Sequence, residues 1–209
     1  MRSLIALSVL LLATACGTDT VDSGTDPGGS PSDGPAQPMP TDVPAADGPV
    51  VGLGLVLDGS AEGKPGFCLG PVAESYPPQC QGLPLEGWDW NEQQGDFDNA
   101  GGVRFGSYAV TGDFDGTTLT YQSAVPGALF DPMPWPEPTS SAAEDHTQAD
   151  LEALAEQLQE LPGALSTMPG DNLVVVDVIH DDGTLQDWAD ATYGDGLVFV
   201  HSALASAGG

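Results

Sequence analysis

The chain has 209 residues, of which 31 are Asp or Glu and only 3 are Lys or Arg, so its formal net charge at pH 7 is −28. Nucleic acids and anionic lipid headgroups are recognised through clustered Lys and Arg side chains, and this composition excludes proteins that bind in that way. The acidity otherwise indicates solubility and sensitivity to salt, whether it reflects a saline habitat or a cationic partner.

The first 16 residues have the layout of an export signal. Arg2 precedes an apolar run from Leu4 to Ala13, which is too short to cross a bilayer, and small residues then lead into Cys16. The sequence Leu-Ala-Thr-Ala-Cys resembles a lipobox, in which the cysteine receives a diacylglycerol and becomes the new N-terminus. We therefore predict a lipoprotein signal peptide over residues 1–15 and a lipidated Cys16, the alternative being a plain secretory signal with an incidental cysteine.

Lipidation would decide the location of the protein. Two acyl chains hold a protein in its leaflet, whereas one chain binds only marginally. Residues 17–48 contain no aromatic residue and few large aliphatic ones, so we predict that residues 16–48 form a lipidated cysteine and a disordered acidic tether. The expected location is the extracytoplasmic face of the cell membrane, with the membrane contacted through the lipid anchor.

Two further cysteines, Cys68 and Cys80, form an even pair in the oxidising compartment that the signal implies. We predict a disulfide bond between them, which would close a loop of about a dozen residues and contribute roughly 3 kcal/mol to stability. A catalytic thiol is the alternative, but no Cys-His pair is visible nearby.

Residues 49–125 are predicted to form a β domain. The run from Val50 to Asp58 alternates glycine with branched apolar residues, and two β-rich segments flank the turn dipeptide Asp115-Gly116 as in a hairpin. Short strands with Gly- and Pro-rich turns favour a small barrel or sandwich, and an OB-like barrel fits best.

Several segments of this domain resemble a known group of proteins. The stretch CLGPVAESYPPQCQG from Cys68 to Gly82, the GWDW of Gly87 to Trp90 and the later GSYAVTGDFDG are similar to a family of uncharacterised lipoproteins and secreted proteins of high-GC Gram-positive (actinobacterial) bacteria. The segment from Asp181 to Gly194 resembles the end of related chains. The resemblance implies an envelope location and the Cys68–Cys80 bond, and it transfers no catalytic residue.

The remaining chain is predicted to be a Pro-rich connector over residues 126–145, packed against a domain, and a small α+β unit over residues 146–209. Thr147 and Asp150 resemble a capping box in front of a helix with leucines on one face. An apolar strand over 173–179, a helix over 185–193 and a strand over 197–201 then indicate a βαβ unit. The predicted fold class is therefore α+β, a disulfide-linked OB-like barrel or sandwich followed by an α-β-α-β unit.

The sequence offers little chemistry. Motifs for a nucleophile elbow, a phosphate loop, a zinc protease and a thiol redox pair are absent. Asp96-Phe97-Asp98 looks like the start of a calcium loop, but Ala100 fills a ligand position and Ser107 replaces the closing glutamate. For the other candidate residues a structural role is commoner than a functional one. These are the histidines His146, His180 and His201, the acids Asp181 and Asp182 beside His180, and the tryptophans Trp88 and Trp90 around Asp89.

We therefore expect a non-catalytic binding or interaction module that contacts an envelope protein or the cell wall and uses no cofactor. An alternative is a cell-wall or extracellular hydrolase with carboxylates such as Asp89, Asp96 and Asp98 as acid and base. Another is a divalent-cation-binding module.

Overall fold

A computed structural model describes residues 37–59, 64–93, 95–132, 134 and 138–208, which belong to one compact unit. The signal peptide, Cys16 and residues 17–36 lie outside the described residues. Two α-helices are present in this part of the chain, α1 (Gln148–Leu158) and α2 (Thr184–Tyr193). Neither helix is long and apolar enough to cross a membrane. The strands are β1 (Val50–Asp58), β2 (Gly66–Cys68), β3 (Leu83–Glu86), β4 (Asp98–Ala100), β5 (Val103–Phe114), β6 (Leu119–Pro126), β7 (Ala164–Pro169), β8 (Val174–Val178), β9 (Val198–Ser202) and β10 (Ala205–Ser206).

Five strands form a ring of pairings in the order β1-β2-β3-β6-β5 and back to β1. The contact between β3 and β6 is parallel and the others are antiparallel. The hairpin predicted at Asp115-Gly116 joins β5 to β6. Its Asp115 carboxylate accepts hydrogen bonds from the backbone N–H groups of Thr117 and Thr118, both at 2.8 Å. These bonds, with the Thr117 backbone first, hold the pKa of Asp115 below its usual value.

The barrel interior is filled by alternate residues of its strands, including Val56, Phe67, Tyr108 and Leu119, each with essentially no exposed surface. Gly54 of β1 faces inward at a close approach, because a β-carbon there would lie 2.9 Å from the Phe67 ring. The glycines of β1 therefore serve packing between strands.

The second sheet has the order β7-β8-β9 and packs with both helices. Strands β8 and β9 are parallel and α2 connects them, which confirms the predicted βαβ unit. The predicted capping box is also present: Thr147 Oγ1 accepts from the Asp150 N–H, and the Asp150 carboxylate accepts from the Thr147 N–H. A core of leucines from α1 and valines from the sheet joins these elements.

The α+β class with a small disulfide-linked barrel is confirmed, with two additions to the predicted elements. Strand β7 pairs antiparallel with β8 although its sequence, ALSTMP, has weak alternation and ends in proline. Strand β10 returns to the barrel and pairs with the first residues of β1, and the preceding Leu204 is buried in the barrel core. The segment after β9 therefore adds a strand and a core side chain to a barrel whose ring is already closed by the β1–β5 pairing.

The predicted tether extends too far, because residues 37–48 lie on the folded unit. We call this segment the N-terminal strap. Met39 packs against the helix–sheet core, and Val43 and Ala46 pack against the barrel core. The Trp188 indole N–H donates to Gln37 O at 3.2 Å, and the Ala46 N–H donates to Phe114 O at 3.0 Å. Predicting disorder for these residues was wrong because a few well-placed apolar side chains and backbone bonds suffice to hold them.

The described part of the connector is also held against the folded unit. Ser140 Oγ donates to Asn172 O at 2.7 Å, and the His146 N–H donates to Asn172 Oδ1 at 2.7 Å. Asn172 has a left-handed backbone with φ of 56°, which asparagine tolerates better than most residues. These hydrogen bonds therefore fix the path of the connector where it leads into α1.

The predicted disulfide is confirmed between Cys68, at the end of β2, and Cys80. The bond closes a loop that we call the disulfide loop, residues 69–79. An isolated bridge between Ala73 and Gln79 pairs the backbone inside this loop. Tyr76 in the same loop places its ring edge-on to Phe105 of β5, with centroids 5.6 Å apart. The disulfide thus holds the loop over the outer surface of the barrel.

Candidate functional site

A shallow depression of about 380 Å³ lies on the outer surface of the barrel, between the β4 segment and strands β1 and β5. Two carboxylates and several apolar side chains line it together: Leu55, Asp96, Phe97, Asp98, Phe105 and Ser107, with Gly95 and Gly106. The depression therefore combines negative charge with an apolar floor.

Backbone contacts position the two aspartates. Asp98 is paired with Phe105 across the β4–β5 ladder, and the Tyr108 hydroxyl donates to Asp96 O at 2.8 Å. Gly106 makes room for this bond, because a β-carbon there would lie 2.9 Å from Asp96 O and 3.0 Å from the Tyr108 hydroxyl oxygen. Asp96 and Asp98 are therefore held on a rigid wall, although both side chains are exposed.

An aromatic cluster lies behind this wall. Trp90 packs on Phe97 with centroids 4.8 Å apart, and Trp88 packs on Tyr108 at 4.9 Å. The Arg104 guanidinium lies 5.4 Å from the centroid of the Trp90 ring and binds the buried Asp58 carboxylate at 2.6 Å. Trp88 and Trp90 are 9% and 5% exposed, so both rings are packing residues of the barrel core and present no face to a sugar.

Tyr108 links the core to the depression. Burial, with a smaller effect of the Asp96 carboxylate, raises the pKa of Tyr108 to about 12. The neutral phenol therefore persists well into the alkaline range and keeps its hydrogen bond to Asp96 O.

The Tyr108→Phe variant tests this link. It should lower the free energy of unfolding by about 1 kcal/mol at neutral pH, because the hydrogen bond to Asp96 O is lost. The raised pKa means that stability from the neutral phenol is complete below pH 10.0 and lost as pH rises toward about 12. Urea unfolding at pH 8 and pH 11 should therefore show a smaller alkaline loss of unfolding free energy in the variant, in which the raised pKa of the partly buried Tyr193 still contributes. An equal loss of unfolding free energy between pH 8 and pH 11 in both proteins would contradict the raised pKa of Tyr108.

Asp89, the third candidate carboxylate, does not line the depression. Its Oδ1 atom accepts from the Asn91 N–H at 2.8 Å and from the Asn91 side-chain amide at 2.7 Å. It thus shapes the turn that follows Trp88. Among the described residues, no group of three or more Asp, Glu, His or Cys side chains converges as a metal site would require.

The histidines lie apart and have structural contacts. His180 is buried, with its Nδ1 atom 3.1 Å from Pro44 O of the N-terminal strap and its ring beside Phe114. The neighbouring acids serve the start of α2: Asp181 accepts from the Leu185 and Gln186 N–H groups, and Asp182 accepts from the Thr184 N–H. Hydrogen bonds from Thr184 also hold the pKa of Asp182 below its usual value.

A polar row that the sequence did not reveal crosses the second sheet. Ser166 Oγ donates to Asp177 Oδ2 at 2.5 Å, and His201 Nδ1 lies 2.8 Å from Asp177 Oδ1. An ionised carboxylate only accepts, so His201 Nδ1 carries a proton in this contact. Because Ser166 donates to Asp177 and not to His201, the row lacks the nucleophile–base contact of a serine hydrolase. The one local signal was Asp177, which interrupts an apolar run.

Comparisons of the chain with protein-family models, with curated proteins and with solved structures give no match.

Proposed function

We propose that this chain is a lipid-anchored lipoprotein of the extracytoplasmic membrane face and works there as a non-catalytic binding module for another envelope component. The location is supported by the lipobox-like run that ends in Cys16 and by the Cys68–Cys80 disulfide, since such bonds persist in oxidising compartments. The resemblance to envelope lipoproteins of high-GC Gram-positive bacteria supports the same assignment.

The single observation that favours binding is the depression beside β4. It offers two carboxylates on a backbone held against β5, next to apolar and aromatic side chains, a combination that orients a partner. A hydrolase of the paired-carboxylate type needs an acid that is kept protonated by an apolar pocket. Asp96 and Asp98 are both exposed in a shallow depression, which favours recognition over acid–base chemistry.

The Cys16→Ser variant tests the anchor. It should move the exported protein from the membrane fraction to the soluble fraction, because no acyl chain can then be attached. Fractionation and metabolic labelling with an alkynyl fatty acid measure the two effects, and the wild-type chain should carry the label. Thr18→Ser, a change two residues away that leaves Cys16 intact, is the matched control and should stay in the membrane. Equal membrane retention of the Cys16→Ser protein would overturn the anchored location.

A further inference from the structure

Most of the large apolar side chains that the folded unit exposes lie on one side of the barrel. Leu53 of β1 is paired with Ala109 of β5, and Ala109 is paired with Val125 of β6, so the three residues form one rung across the sheet. Leu53 and Val125 are 44% and 43% exposed, whereas the small Ala109 between them is 1% exposed. This rung gives the barrel an apolar outer surface.

The surface continues from the rung into the depression. Leu55, two residues after Leu53, is paired with Ser107, and both line the depression with Phe105. Tyr76 of the disulfide loop is 74% exposed and packs against Phe105. The disulfide loop therefore extends the apolar surface beyond β5.

Leu129 adds to the same surface. It belongs to a short 3-10 turn, Gly127–Leu129, which follows β6 directly. A β-carbon on Gly127 would lie 3.2 Å from the Ser107 β-carbon, so this turn lies against the outer side of β5. Leu129 itself is 75% exposed. We call the set Leu53, Leu55, Tyr76, Val125 and Leu129 the apolar face; Phe105, which is 8% exposed, lies beneath Tyr76.

The apolar face is accompanied by negative charge. Asp96 and Asp98 lie in its depression, Glu74 lies two residues before Tyr76, and Asp131 lies two residues after Leu129; all four are exposed. Arg104, one of the cationic side chains in the described part of the chain, is paired with the Asp58 carboxylate. A second copy of this chain would bring another charge of −28 and so be repelled, as would an anionic polymer.

We propose that the apolar face binds a basic, apolar-rich segment of an envelope protein, with Leu and Phe-type side chains on the rung and in the depression and Lys or Arg beside Asp96 and Asp98. This inference rests on the proposed binding role and names its partner. Apolar contacts supply affinity, and complementary charge fixes orientation and speeds association.

The test uses the full chain released from its anchor by Cys16→Ser and a synthetic peptide of about 15 residues built from leucine and lysine. Fluorescence anisotropy of the labelled peptide measures affinity. The double substitution Leu53→Ser and Leu129→Ser leaves the charge unchanged and alters only exposed side chains, and we expect at least tenfold weaker binding. Met168→Ser is the matched control, since Met168 is 54% exposed on the second sheet, and it should bind as the parent does.

Four outcomes would overturn the inference. Equal affinity in the double variant, or equal affinity for a serine–lysine peptide, would mean that general charge attraction causes binding. Light scattering that finds a dimer in the parent and a monomer in the double variant would show that the apolar face binds a second copy of the chain. If the parent floats with phosphatidylcholine vesicles and the double variant does not, the apolar face binds a lipid surface. None of these results changes the membrane fractionation of a chain that retains Cys16, so failure here is distinct from failure of the anchor.

Discussion

Deletion of residues 37–48 should lower the melting temperature by roughly 6–20 °C. The N-terminal strap contributes apolar contacts from Met39, Val43 and Ala46 and accepts from the Trp188 indole N–H. Losing this burial and leaving polar groups unpaired costs about 3–5 kcal/mol, and each kcal/mol shifts the melting temperature of a domain of this size by about 2–4 °C. Differential scanning calorimetry of the anchor-free chain measures the shift.

A deletion of residues 17–36 is the matched control for the strap. It removes more residues but leaves the strap contacts described above in place, so the melting temperature should stay within about 1 °C of the parent value. The single substitution Val43→Asp should reproduce part of the strap effect, because it places a charge against the barrel core. An unchanged melting temperature after the 37–48 deletion would show that the strap contacts add no stability.

The double substitution Cys68→Ser and Cys80→Ser should lower the free energy of unfolding by about 3 kcal/mol. The disulfide closes a loop with a sequence separation of 12, and without it the unfolded chain gains conformational freedom. The disulfide loop should also loosen, which would expose Phe105 beneath Tyr76 to solvent. Urea unfolding measures the first effect, and hydrogen exchange at the β5 amides measures the second.

Reduction of the parent protein provides the comparison for the cysteine variant. Dithiothreitol should destabilise the parent by a similar amount and leave the double variant unaffected. If reductant and substitution both left the midpoint of unfolding unchanged, the bond would have no role in stability.

Local sequence signals predicted several elements well. The Asp115-Gly116 turn and the Thr147–Asp150 capping box are formed by neighbouring residues, so the information lies within a few positions. The N-terminal strap and β10 were not predicted because each depends on a distant partner: Ala46 bonds to Phe114, and Ser206 pairs with Val50. The sequence of a short segment with little hydrophobic periodicity does not show which distant residues it will contact.

Part of the candidate site could likewise be predicted from neighbouring residues, and part depends on distant ones. Asp96 and Asp98 were identified together because they lie two residues apart in the sequence, although nothing local showed that Phe105 and Leu55 would line the same depression. The row of Ser166, Asp177 and His201 requires the register of three strands. The apolar face was hidden because β1 is apolar at both inward and outward positions, so its alternation does not show which side meets solvent.

The pairing of β10 with β1 has a consequence for the timing of folding. A chain is synthesised from its N-terminus, yet Leu204 is part of the core that Val50 and Val56 help to form. The barrel core therefore lacks Leu204 until the segment after β9 has been synthesised, and pairings between such distant residues form slowly. Until then Val50 and Val51 of β1 have no β10 partner, so the newly made chain stays longer in an incompletely packed state.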